Sequence, residues 1–300
     1  MDNTFRIALT SLYAAAIMLG LASGSVLAAE DTEKPAENLP PHKTPHTAEP
    51  PTGGHANLAA AATNPVANLI QFQIQDQYNW SNYNSSGYSN AAIIQPVVPF
   101  KLPWKAVPLV ITRTTLPYVS TPKLDTVGRK FGLGDLSFLG LFTPNFGLKG
   151  QTIGFGPTVV IPTAGDNEFT GSGKWQAGPS FIYINTKSST QWGIFGFQQW
   201  SFASTDSGEG RPSVSKLSIQ PILTHHFGEG WFVGAPDNPQ SYNFKTKKWT
   251  LQLGPQVGRV FRIGKQPVKM FGAVYHNPID DGGATAKWTA KIGVTFLFPK

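Results

Sequence analysis

The sequence has no cysteine in its 300 residues, which excludes disulfides, thiol catalysis and thiolate metal sites. Charge is scarce, at 14% of residues. After residue 30 no apolar run approaches the roughly 18 residues that suggest a membrane helix. Asp76, Asp135, Asp166, Glu168, Asp280 and Asp281 form no paired-carboxylate motif. There is no nucleophile elbow, and no histidine leads a Ser-Asn-Gly type stretch. GLGD (132–135) and GSGKW (171–175) fall in loops rather than between a strand and a helix, so they do not make phosphate cradles. No catalytic residue, metal or cofactor is expected.

What is present is glycine (31), proline (25), phenylalanine (20) and tryptophan (8), which fits an all-β chain with many turns. The N-terminus reads as a secretory signal peptide over 1–28. Arg6 supplies the basic region, Ile7–Gly20 the apolar one, and small residues lead to Val26-Leu27-Ala28. Residues 29–63 are rich in proline, alanine and polar residues, with no aromatic. Such a stretch buries too little to offset chain entropy and is expected to be a disordered tail. His42, His46 and His55 lie in it, with nothing to fix a metal geometry. The tail carries −3 and the signal is neutral, so residues 64–300 carry +10. Those basic residues are scattered among loops and strands, which with export argues against nucleic acid as a partner.

The last strand shows the pattern best. In KWTAKIGVTFLFPK (287–300) one face is Trp288, Ala290, Ile292, Val294, Phe296 and Phe298. The other is Lys287, Thr289, Lys291, Gly293, Thr295 and Leu297. An apolar-out, polar-in strand of about 9–11 residues with aromatic ends suits a bilayer crossing. Twelve segments read this way: 69–81, 89–101, 106–117, 133–143, 151–162, 174–186, 190–202, 214–227, 231–243, 248–262, 267–277 and 287–298. The fold expected is a transmembrane antiparallel up-and-down β-barrel of twelve strands over 64–300, behind a disordered N-terminal tail. Long connections mostly follow odd strands and short ones even strands, the arrangement of outer-membrane barrels. It puts the tail and the C-terminus in the periplasm of a Gram-negative cell. Outer-membrane lipid, the barrel assembly machinery and a small-molecule solute are the partners this implies.

Trp80, Trp175, Trp200, Trp249 and Trp288 fall at the outer strand ends. Trp104, Trp192, Trp231 and Phe298 fall at the inner ends, as two interfacial girdles would. The opposite parity lines the lumen with Gln71, Gln73, Gln75, Gln95, Gln176, Gln199, Gln220, Gln252 and Gln256 and with Lys216 and Lys291. Amides can fill a narrow barrel or line water, and the parity leaves both open. His225 and His226 face opposite sides and cannot form one ligand pair. Pro96, Pro157, Pro179, Pro221 and Pro255 lie inside predicted strands, so bulges or missing ladder hydrogen bonds are expected there. Pro299 is expected to stop the last strand at Phe298. The two prolines of WFVGAPDNPQSYN (231–243) point to a bulge or an early loop.

Seven stretches carry a resemblance: NPVANLIQFQIQDQYNW (64–80), IQPVVPF (94–100), ITRTTLPYVSTP (111–122), GLGD (132–135), GSGKWQAGP (171–179), RPSVSKLSIQP (211–221) and VTFLFPK (294–300). On these the chain resembles the bacterial outer-membrane family named for the meta-pathway of phenol degradation, whose members often carry the labels transporter or neuromedin U. VGAPDNPQ (233–240) departs from the polar strand that the resemblance would place there. The resemblance implies a barrel passing small solutes, aromatic or hydrophobic ones among them, and supplies no binding residues. The other expectation is a plugged barrel with a structural, adhesive or lipid-handling role and no transport.

Overall fold

The structure, a computed structural model, describes residues 53–123, 128–164, 168–235 and 237–299. The signal peptide and residues 29–52 lie outside these. Helix α1, Gly53–Thr63, leads into fifteen strands. They are β1 Leu69–Asn82, β2 Ser89–Lys101, β3 Leu109–Ser120, β4 Phe131–Leu133, β5 Leu136–Thr143, β6 Gln151–Ile161, β7 Lys174–Asn185 and β8 Thr190–Ser204. The rest are β9 Ser215–Phe227, β10 Trp231–Gly234, β11 Gln240–Asn243, β12 Lys248–Thr250, β13 Gln256–Ile263, β14 Gln266–His276 and β15 Ala286–Pro299. The pairs β4/β5, β10/β11 and β12/β13 each share one stave, so these strands make a closed antiparallel barrel of twelve staves. β15 lies between β14 and β1, and β10 joins β9 to β13.

The register follows the alternation of the sequence. β1 pairs with β15 from Leu69 opposite Pro299, with shifts near Asn79–Asn82. Along β1, Leu69, Gln71, Gln73 and Gln75 are buried, while Phe72, Ile74 and Trp80 are exposed. The same contrast runs round the barrel. Phe138, Phe155, Phe181, Ile194, Leu223, Val257, Val274 and Ile292 stand exposed on the outside. Water does not tolerate a continuous apolar surface of this extent, whereas hydrocarbon does. The third strand sits three residues later than the predicted 106–117, at Leu109–Ser120. KLPWKAVP forms the turn instead, where Leu102 N donates to Pro108 O.

The five prolines expected inside strands have the outward parity and each follows an inward Gln or Gly, but Pro255 lies just before β13 rather than inside a strand. Around Pro96, Pro157 and Pro179 one ladder skips and resumes in the same register, while beside Pro221 pairing passes from β11 to β10 with a one-residue shift. Pro157 and Pro179 face each other across β6 and β7. The β7–β8 ladder skips Gly178 and Pro179 and resumes in the same register at Ser180. A Cβ on Gly178 would stand 1.8 Å from Gln198 O, so only glycine allows this approach of the two backbones. The one β7–β8 bulge lies elsewhere, at Trp175/Gln176. β15 runs to Pro299, one residue past the predicted stop, because proline lacks only the donor and keeps its carbonyl.

Residues 231–243 break as a strand. Between β10 and β11 residues 237–239 turn inward, and the next stave is interrupted between β12 and β13, where only Leu253 bridges to His276. The two prolines of VGAPDNPQ, Pro236 and Pro239, and Pro255 in the next stave lack the donors a ladder would need here.

The expected disordered tail is shorter than 29–63, since 53–63 is helical. LAAAA (58–62) is a run of the strongest helix formers, and Asn64-Pro65 ends it. Ala59 and Ala62 are 1% exposed and pack with Leu69, Phe232, Val260, Phe271 and Leu297. All five partners point inward, so α1 sits in the barrel, at the end that holds the short turns and the C-terminus.

Candidate functional site

The lumen is the one place where the inward faces of all staves converge, and it has two unlike walls. On the side of β13, β14, β15, β1 and β2 it is polar. Gln73 Nε2 donates to Gln75 Oε1 at 3.2 Å, and Thr295 Oγ1 donates to Gln73 Oε1 at 3.0 Å. Gln95 Oε1 accepts from Thr115 at 3.4 Å. Gln71 and Gln256 are buried beside them. Farther round, Gln176 donates to Ser172 Oγ at 3.0 Å, and Gln199 stands opposite Lys216 in the β8–β9 ladder. Gln220 is opposite Phe195, and Gln252 Oε1 accepts from Asn238 Nδ2.

The other wall is apolar, which the expected lining of amides, hydroxyls and a few cations did not include. Ile111, Leu139, Leu141, Ile182, Ile184, Phe195 and Ile222 belong to one buried cluster on β3, β5, β7, β8 and β9. FLGLF (138–142) and SFIYI (180–184) are apolar on both faces, so their parity carries no polarity signal.

Parity reading also passed over three inward groups. Arg113 lies in TRTT, polar on both faces, and its guanidinium stands 5.1 Å from the Phe195 ring centroid. Lys269 sits in an apolar strand, and its Nζ donates to Ala62 O at 3.0 Å. Gln191, 1% exposed, donates to Ala60 O at 2.8 Å. With Thr63 Oγ1 at 3.0 Å from His226 Nε2, these groups tie the last turn of α1 to the barrel. His225, on the outward face, meets Thr190 Oγ1 at 2.8 Å.

Toward the long-loop end the excursion 237–239 reaches in. Lys291 Nζ, on a side chain 1% exposed, bonds Asp237 Oδ1 at 2.5 Å and Asn238 Oδ1 at 2.8 Å. Asn238 Nδ2 in turn donates to Tyr275 Oη at 2.7 Å. Lys291 is held over the polar wall because Gly293 beyond it lies under the Phe271 ring, where a Cβ would stand 2.3 Å from a ring carbon. Removing one partner of such a pair strands the other charge. Lys291→Met is expected to destabilise the barrel by about 3 kcal/mol, the low end for a buried pair, because the Asp237 side chain is 33% exposed. Urea unfolding followed by band migration on an unheated gel measures this. An unchanged midpoint would show the pair to be dispensable.

Between α1 and Asp237 the lumen keeps a cavity of about 100 Å³. Ala62, Thr63, Asn64 and Pro65 floor it, and both walls line it. Arg113, Lys216, Lys269 and Lys291 all point inside, against the carboxylate of Asp237, so the interior is net basic. Among the described residues no group of three or more histidines and carboxylates could hold a metal.

The outward aromatics gather at the two ends. Trp80 and Trp288 stack at 5.9 Å between centroids at the long-loop end, where Trp175, Trp200 and Trp249 also lie exposed. Trp104, Trp192 and Phe298 are exposed at the other end, where Trp231 lies under Arg259 at 5.3 Å.

No family model and no curated protein matches this chain. Among solved structures it is similar to an outer membrane channel from Pseudomonas putida F1, with a TM-score of 0.54 and 14% identity, over 77% of this chain and 96% of that one. It is also similar to outer membrane phospholipase A from Escherichia coli, with 15% identity over 82% and 97% of the two chains, but at a TM-score of 0.41, too low to bear on function. The likeness to the channel establishes the fold, a closed antiparallel barrel of the outer-membrane type.

Proposed function

We propose that this chain is a bacterial outer-membrane channel for small solutes, of the family named for the meta-pathway of phenol degradation, and not an enzyme. The observation that carries the reading is the lumen cavity, floored by a helix that the barrel wall does not incorporate. The last turn of α1 is held by a few side-chain hydrogen bonds, each of the order of 1 kcal/mol, and by small alanine contacts. A stopper of that kind can leave while the ladder stays intact. The apolar outside and the aromatic ends support a bilayer crossing, and the P. putida channel has the same fold. The signal peptide and the sorting of loop lengths support a periplasmic N-terminal segment and C-terminus.

One observation favours the plugged barrel with a structural, adhesive or lipid-handling role: α1 and the excursion 237–239 both occupy the lumen. Liposome swelling separates the two. Proteoliposomes are expected to swell in small neutral and anionic solutes faster than empty liposomes. Absence of solute flux, in protein that migrates as a folded barrel, would favour the plugged reading.

A further inference from the structure

The lumen cavity is lopsided in a way that selects a chemistry. Leu139, Leu141, Ile182 and Phe195 give it a dry wall. Its size, about 100 Å³, approaches that of the engineered apolar cavity of roughly 150 Å³ that takes up benzene. One cationic group faces this wall without a hydrogen bond. The Arg113 guanidinium lies over Phe195 and has no hydrogen bond among the described residues. The nearest inward carboxylate, Asp237, is taken by Lys291, and Lys269 is bonded to α1. Polar groups inside a protein are almost always satisfied, so a guanidinium without a hydrogen bond at a cavity marks the place of an acceptor not yet supplied. An arginine fork offers paired donors that match a carboxylate.

We propose that this cavity is a binding site for a small amphiphilic anion: a carboxylate on a compact apolar body about the size of one ring. The carboxylate would lie against Arg113, and the body would lie on Leu139, Leu141 and Ile182. Phe195 fixes the guanidinium from behind, leaving its donors toward the cavity. A neutral molecule of the same shape would gain the apolar wall and forgo the ion contact. The inference deepens the channel reading by naming the solute class.

The test is equilibrium binding to the full chain in detergent micelles by titration calorimetry, with benzoate and its neutral counterpart benzyl alcohol as probes. Folding of each variant is checked by heat-modifiable migration. Saturable benzoate binding at one site is expected. Arg113→Gln should weaken it by about tenfold or more, the scale of a lost charged hydrogen bond. The same variant should leave benzyl alcohol within about twofold, since no ion contact is at stake. Arg113→Lys should keep most of the benzoate affinity by keeping the charge. Equal benzoate affinity in the wild type and Arg113→Gln, or no benzoate binding to the wild type, overturns the site. Arg113-dependent binding in a protein that gives no liposome swelling supports the site and contradicts the channel. Swelling without such binding does the reverse.

Discussion

Deleting residues 30–63, which keeps the signal peptide and the whole barrel, is expected to raise single-channel conductance in planar bilayers several-fold. The deletion removes α1, whose Ala59 and Ala62 pack on Phe232, Val260, Phe271 and Leu297 inside the barrel. None of the strand pairing involves it, and β1 starts beyond it at Leu69. The barrel should therefore still form, with Lys269 and Gln191 released from Ala62 O and Ala60 O to face water. The excursion 237–239 stays, so the conductance should remain below that of an empty barrel of twelve staves. A folded deletion variant with unchanged conductance would mean that α1 does not obstruct the path.

Deleting Phe296–Lys300 should abolish assembly, while removing Pro299 and Lys300 alone should be tolerated. β15 closes the barrel by pairing with β1 on one edge and β14 on the other. The longer truncation takes away the partners of Leu69, Ile70, Gln71 and Phe72, and that of Val268. It also removes Leu297, which is 0% exposed beneath α1. The two strands it unpairs would present bare backbone donors and acceptors to lipid, each costing several kcal/mol. The shorter truncation loses only the Leu69–Pro299 pair. Heat-modifiable migration of membrane fractions reads both outcomes. Normal insertion of the five-residue deletion would contradict the closure described here.

Most of the barrel was legible because its alternation is a physical requirement of a strand with lipid on one side. The inward parity of Gln71, Gln73 and Gln75 and the length of β15 follow directly from it. Legibility failed where that requirement is silent. Parity cannot orient FLGLF or TRTT, so the apolar wall and Arg113 went unread. Composition averaged over 29–63 hid LAAAA, whose helix propensity and Asn-Pro stop were a usable signal. The prolines of 231–243 marked the broken stave, but nothing local said that Asp237 and Asn238 turn inward to Lys291. That contact joins residues 54 positions apart in the chain and depends on closure of the whole sheet.

The most direct measurement is the reversal potential of the full chain in a planar bilayer under a potassium chloride gradient. Arg113, Lys216, Lys269 and Lys291 face the lumen against Asp237, so the current should reverse on the anion-selective side. A water-filled path lined by that excess of positive charge concentrates chloride and repels potassium. Clear cation selectivity would contradict the basic lumen as the conducting path. No current, from protein that migrates as a folded barrel, would contradict the channel itself.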